Sequence, residues 1–210
     1  MSRAVIVFLR RPIKGEVKSR LAKDVGESKA LEIYNWLLHI TFQAIANIKP
    51  EVLLYFDKTG NEMPNWSSDF PSYIQDGINL GLRMKSAVSE QLEKFEKVIL
   101  IGSDCPEISE ELLNIAFDSL NQNDLVLGPA VDGGIYLLGM NKNLFDVFEN
   151  VNWGTSAVFN QMIFNAEKLH LRTSVLQRLS DVDVIDDFKR YEGRFNDYII
   201  NEKNAVEGKG

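Results

Sequence analysis

The sequence predicts a doubly wound α/β fold, a mainly parallel twisted sheet with helices packed on both faces. Three observations carry this. Ala4–Leu9, Val52–Phe56 and Val98–Ile101 are apolar at every position, the pattern of strands covered on both sides. Stretches of helical period separate them, as parallel crossovers require. The chain's 210 residues suit one domain, and no repeat or linker divides it.

The elements follow in order. Ala4–Leu9 is the first strand, closed after six residues by Arg10 and Arg11, far short of a bilayer span. Ser28 offers an N-cap for a helix whose apolar positions Ala30, Ile33, Trp36, Leu37, Ile40, Ala44 and Ile48 recur at three- and four-residue steps. Helical stretches over about 80–95 and 109–120 precede the strands Val98–Ile101 and Leu125–Leu127. After about residue 128 the rhythm changes: Asp132-Gly133-Gly134 is a turn signal before Ile135–Leu138, which predicts an antiparallel excursion. A helix over 156–168, a short strand over 171–176 and a last helix over 183–200 complete a domain of residues 1–201. The polar, glycine-containing stretch 202–210 is expected to fray.

Composition excludes several classes. An apolar fraction of 45% rules out disorder. A net charge of −7 disfavours nucleic acid and anionic lipid as partners. The single cysteine, Cys105, forms no internal disulfide, so a reducing, cytoplasmic setting is expected. Two histidines and one cysteine are too few for a zinc finger. The chain has no Gly-x-Gly-x-x-Gly fingerprint, no Walker loop and no Gly-x-Ser-x-Gly elbow.

Against that acidic background the loop after the first strand stands out. Arg10, Arg11, Lys14, Lys18, Arg20 and Lys23 face one acid, Glu16, so this segment is +5 and the rest of the chain −12. A cationic loop at the carboxyl end of a buried parallel strand lies where polyphosphate ligands bind, although a solvated polar loop would look similar. Asp104 follows the third strand. It is either a helix N-cap or a ligand for Mg²⁺ or Mn²⁺; Ser109 is the better cap, with Glu110 and Glu111 in the first turn, which leaves Asp104 for metal. Cys105 reads as buried filler, since a thiol nucleophile would need a base partner that neither His39 nor His170 offers. Asp132, beside Gly133 and Gly134, could meet a cation or a sugar hydroxyl, or simply close a hairpin. Trp153 could present an aromatic face, while Asn152–Ser156 and Asp181–Asp183 could equally be capping devices.

Taken together, these motifs resemble a known group. Phe8–Leu21, with Pro12, Gly15, Lys18 and Arg20, resembles the F-x-K-x-P-x-x-G-x-x-K-T-R-L opening of the DUF2064 proteins. Gln75, Gly77, Leu80-Gly81 and Arg83-Met84 continue the likeness. Gly102–Pro106, Pro129, Asp132–Gly134, Trp153–Thr155 and Asp181–Asp183 follow in order. Ser19 stands where the group usually has Thr, Arg10 where Lys is common, and Ile135 where Tyr is usual. The resemblance implies a three-layer, Rossmann-like GT-A fold of the nucleotide-diphospho-sugar transferases, similar also to guanylyltransferases of phosphorylated acids.

The expectation is a metal-dependent transferase moving a sugar from a nucleotide-diphosphate donor to a small-molecule acceptor. The rivals are nucleotidyl transfer and a non-catalytic nucleotide-binding protein. Arg11, Lys14, Gly15, Lys18, Arg20, Gln75, Gly77 and Gly81 would meet the nucleotide. Asp104 and Asp183 would hold Mg²⁺ or Mn²⁺, Asp132 would act as base, and Gly133, Gly134, Trp153 and Thr155 would face the acceptor.

Overall fold

A computed structural model describes residues 2–58 and 69–207. Its sheet comprises β1 (Arg3–Leu9), β2 (Glu51–Phe56), β3 (Ser72–Ile74), β4 (Lys97–Gly102), β5 (Leu125–Pro129), β6 (Ile135–Met140) and β7 (Thr173–Val175). The order across it is β3-β2-β1-β4-β6-β5-β7. β1 pairs in parallel with β2 and β4, β2 with β3, and β5 with β7. β6 runs antiparallel to both β4 and β5, the excursion the Asp132–Gly134 turn predicts.

The apolar strands behave as double-sided cores. Val5, Val7 and Leu9 join one buried cluster, whereas Ala4, Ile6 and Phe8 join the other, because successive side chains leave opposite faces of a strand. The first cluster packs under α2 (Glu27–Ile45) and α4 (Glu110–Ser119), the second under α3 (Leu80–Leu92) and α5 (Val158–Lys168). Three layers result, with the carboxyl ends of β1, β2 and β4 at one rim.

Four local expectations are revised. The cationic loop is shorter than its composition suggests, since Ser19–Val25 forms α1. Ser28 lies inside α2, which starts at Gly26 (φ 80°) without a side-chain cap. The last helical stretch divides into α6 (Ile185–Lys189) and α7 (Glu192–Glu207), and α7 continues through most of the stretch expected to fray. β3, too short to show a period, and a 3-10 helix at Phe145–Phe148 were not foreseen. Ser109 does cap α4, accepting from Leu112 N at 3.2 Å.

Candidate functional site

The loop leaving β1 turns through Ile13 N to Arg11 O (2.8 Å) and Glu16 N to Ile13 O (3.0 Å). It enters α1 at Lys18, which adopts the left-handed region at φ 49°, a conformation uncommon for a residue with a side chain. From there the Lys18 ammonium reaches 2.6 Å from Asp104 Oδ1 and donates to Val182 O at 2.7 Å. Its side chain is 4% exposed, that of Asp104 51%. Two residues on, Arg20 Nη1 lies 2.6 Å from Asp183 Oδ2, both in solvent. The basic loop, the acid after β4 and the Asp181–Asp183 segment thus converge, and Val182 N donating to Asp104 O (3.0 Å) fixes the last two together.

Tyr34 of α2 ties the first two. Its hydroxyl accepts from Arg10 N (2.8 Å), donates to Arg10 O (3.0 Å) and lies 3.3 Å from buried Ser103 Oγ. Burial, and secondarily the Asp104 charge, raises its phenol well above the ordinary range, so it acts as a neutral brace. Sequence reasoning missed it; a phenol next to the apolar position Ile33 on a helix otherwise read for its apolar period was the available signal.

The acids near this convergence act on one another. Burial chiefly, and then the charges of Asp104 and Asp132 and, more weakly, of Asp183, push the Asp181 carboxyl up to about 7 against the pull of Lys18. Hard oxygen donors in surplus suit Mg²⁺ or Mn²⁺. Among the described residues no three acidic, histidine or cysteine side chains are close enough to cage an ion. A cation at Asp104 or Asp183 would therefore need oxygens from a ligand as well as these carboxylates.

Other expected residues fall into two places. Gly15 sits in the basic loop with φ 82° beside the Glu27 carboxylate; Lys14 is exposed, and half-buried Arg11 keeps a buried Nε without a hydrogen-bond partner. Gln75 is pinned at the β2–β3 edge, donating through Nε2 to Tyr55 O (2.9 Å) and through its backbone N–H to Phe56 O (2.8 Å). Gly77 O receives Arg83 Nε at 3.0 Å, leading to α3, where Gly81 meets Trp153. A Cβ at Gly81 would stand 2.0 Å from Trp153 Nε1, so the indole covers the first turn of the helix. Together with Asn79, Lys85 and Phe148 they line a cleft of ≈ 250 Å³.

Asp132 closes its turn, as the hairpin alternative required: Oδ1 accepts from Gly134 N at 2.8 Å. Gly133 has φ +90°, and a Cβ there would lie 2.1 Å from Ser156 O, so only glycine fits. Thr155 Oγ1 donates to Asn152 O at 2.7 Å and accepts from Ala157 N at 3.3 Å, which ties the turn ahead of α5 without capping it, since α5 starts with no side-chain cap. Cys105 is 3% exposed, with its thiol pushed up to about 12 chiefly by burial, which makes it inert filler.

The three-layer fold is the one shared by nucleotide-diphospho-sugar transferases and nucleotidyltransferases. A protein from Desulfovibrio desulfuricans G20, provisionally assigned as a nucleotide-diphospho-sugar transferase, superposes at TM-score 0.84 with 30% identity over 90% of this chain and 85% of its own. A nucleotidyl transferase from Methanothermobacter (Mth528) shares the fold at 0.65, with 15% identity over 94% and 99% of the two chains. So does Rv0371c from Mycobacterium tuberculosis in complex with manganese, at 0.52, with 12% identity over 90% and 97%. No curated protein matches the sequence. The chain belongs to the bacterial family DUF2064, whose model, described as "Uncharacterized protein conserved in bacteria", matches residues 40–155. No helix among the described residues is long and apolar enough to cross a membrane.

Proposed function

We propose that the protein is a divalent-cation-dependent transferase that moves a sugar from a nucleotide-diphosphate donor to a small acceptor. The observation that carries the reading is the meeting of Lys18 and Asp104 at 2.6 Å at the carboxyl ends of β1 and β4. A lysine and a carboxylate meeting at carboxyl strand ends support a site for phosphate and a cation together. The likeness to the Desulfovibrio protein supports the same class, and the manganese complex of Rv0371c supports the choice of cation.

In this reading Lys14, Lys18 and Arg20 face the diphosphate, where fixed cations stabilise the charge that grows as the nucleotide leaves. Asp104 and Asp183 hold the cation, which neutralises the same oxygens when bound. The Gln75–Gly81 segment receives the base and sugar, and Trp153 covers the acceptor side. An acceptor hydroxyl attacks the anomeric carbon, the bond to the diphosphate breaks, and the hydroxyl proton passes to the Asp132 oxygen not committed to Gly134.

The test presents nucleotide sugars and nucleoside triphosphates, each with Mn²⁺ or Mg²⁺ and a panel of sugars and phosphorylated acids. Release of nucleoside diphosphate from a nucleotide sugar is expected. Pyrophosphate release from a triphosphate with no sugar donor present overturns the glycosyl reading in favour of nucleotidyl transfer. Turnover that survives Asp104→Ala overturns the metal role.

A further inference from the structure

Lys18 is an odd phosphate ligand in this structure because it is already engaged. Its ammonium is buried and saturated on one side by the Val182 carbonyl at 2.7 Å and on the other by Asp104 Oδ1 at 2.6 Å, and its backbone takes a left-handed conformation to get there. Asp104, by contrast, is half open to solvent. A cation arriving from solvent can reach Asp104, yet one of its two oxygens already carries a positive charge at hydrogen-bond distance.

We propose that the Lys18 ammonium is a built-in placeholder for the divalent cation at Asp104, released only when a phosphate-bearing ligand draws it away, so that metal binds tightly in company with phosphate and weakly alone. The inference rests on the cation-plus-phosphate reading above and specifies its order of events.

Three features carry it. The first is the short Lys18–Asp104 contact itself: a doubly charged ion on the same carboxylate would sit within a few ångströms of the ammonium, and like charges at that range in a half-buried site repel strongly. The second is the fixed position of the pair: Val182 accepts from the Lys18 ammonium through its carbonyl and donates its N–H to Asp104 O at 3.0 Å, so the same backbone segment holds both partners of the ion pair in register. The third is the means of release. A lysine stem carries three rotatable donors and moves without backbone change, and a phosphate oxygen replaces both the carboxylate and the carbonyl as acceptor. Arg20 does not serve as a second placeholder, since its partner Asp183 and its own guanidinium are both solvated, where pairing is weak.

The experiment titrates Mn²⁺ alone into the full-length protein, with no nucleotide, and follows free Mn²⁺ by electron paramagnetic resonance. Lys18→Met is expected to bind Mn²⁺ about tenfold more tightly than the wild type. Lys23→Met in the last turn of α1 removes the same charge without touching Asp104, and should change affinity by less than about twofold. Equal tightening in both variants, or none in Lys18→Met, overturns the proposal. If Lys18→Met fails to fold, the wild type decides by nitrogen NMR of the Lys18 ammonium. Mg²⁺ alone should leave the signal in place, and Mg²⁺ with inorganic pyrophosphate should move it. A signal moved as readily by Mg²⁺ alone, or unmoved by both together, overturns the proposal. Because neither measurement uses turnover, a protein that transfers no sugar can still pass, and an active transferase can still fail.

Discussion

Two of the described lysines are buried, at opposite ends of the same sheet, and they are buried differently. Lys97 opens β4 at the amino-terminal rim and is 6% exposed; its ammonium donates to the neutral Asn121 side chain just beyond α4. Its neighbour on β1 is Arg3, whose guanidinium lies 5.1 Å from the centroid of the Phe117 ring. Neither forms an ion pair among the described residues, and the carboxyl end of α4 supplies the compensating partial charge. Lys18 at the other rim is 8% exposed and reaches an acid that is itself open to solvent, amid further acids. Burial of a cation alone therefore does not mark function. A closed, neutral partner marks an element of the fold, and an open, charged one marks a site that a ligand can enter.

The sharpest way to break this contrast is to remove each ammonium in turn. Lys18→Met is expected to lower kcat/KM by about 10²–10³-fold, the usual loss for one charge-stabilising donor. Lys97→Met should leave turnover within about twofold while costing about 1–3 kcal/mol of stability, because the Asn121 acceptor loses its partner. Steady-state rates and urea midpoints measured on both variants decide. Equal losses of activity would erase the distinction between the two rims.

A smaller effect is expected where the site relies on shape. Gly81→Ala drives a Cβ to within 2.0 Å of Trp153 Nε1. The indole must leave the helix, at a cost of about 1–3 kcal/mol typical of overpacking. Tryptophan fluorescence should report the displacement, and ligand affinity should fall with it. A second helical glycine, Gly193 in α7, has nothing within 4 Å of its Cβ position, so Gly193→Ala should leave both signals unchanged. An unchanged spectrum in Gly81→Ala would show that Trp153 is not held where the cleft needs it.

The core was readable because its chemistry is local: six consecutive apolar residues at Ala4–Leu9 admit few arrangements other than a strand covered on both faces, and the Asp132–Gly134 turn announces the antiparallel β6. The convergence of Lys18 and Arg20 with Asp104 and Asp183 was legible only through motif order and the rule that ligands gather at carboxyl strand ends. What stayed hidden was pairing across long sequence separation. Nothing in the composition of the basic loop shows that Lys18 turns inward while Lys14 stays out, since that depends on a left-handed residue at the start of α1. Nor could spacing reveal that Gly81 and Trp153 share a cleft, or that Tyr34 spans two loops. The capping misreading at Ser28 has the same origin: a residue favoured at helix starts lost to Gly26, whose φ of 80° turns the chain out of α1 directly into α2.

The carboxyl-terminal rim should also betray itself through pH. The Asp181 carboxyl, ordinarily at 3.8, is pushed up to about 7 in the folded protein. Between those limits the native state holds a proton that the unfolded chain has released, so this group's contribution to stability is greatest below about pH 4, falls as the pH rises and levels off above about 7. With screening by water, a loss on the order of 2 kcal/mol is expected across the window. Asp124, near the amino-terminal rim, is held at about 2, mainly by its hydrogen bond with Lys142, and so titrates below this range. Asp181→Asn removes the titrating group and should flatten the fall, gaining stability over the wild type at about pH 8 and little at about pH 5. Denaturant midpoints at the two pH values test it. A parallel decline in wild type and variant would mean that the acids around Lys18 are not crowded enough to resist ionisation, and the two rims would then differ less than their burial suggests.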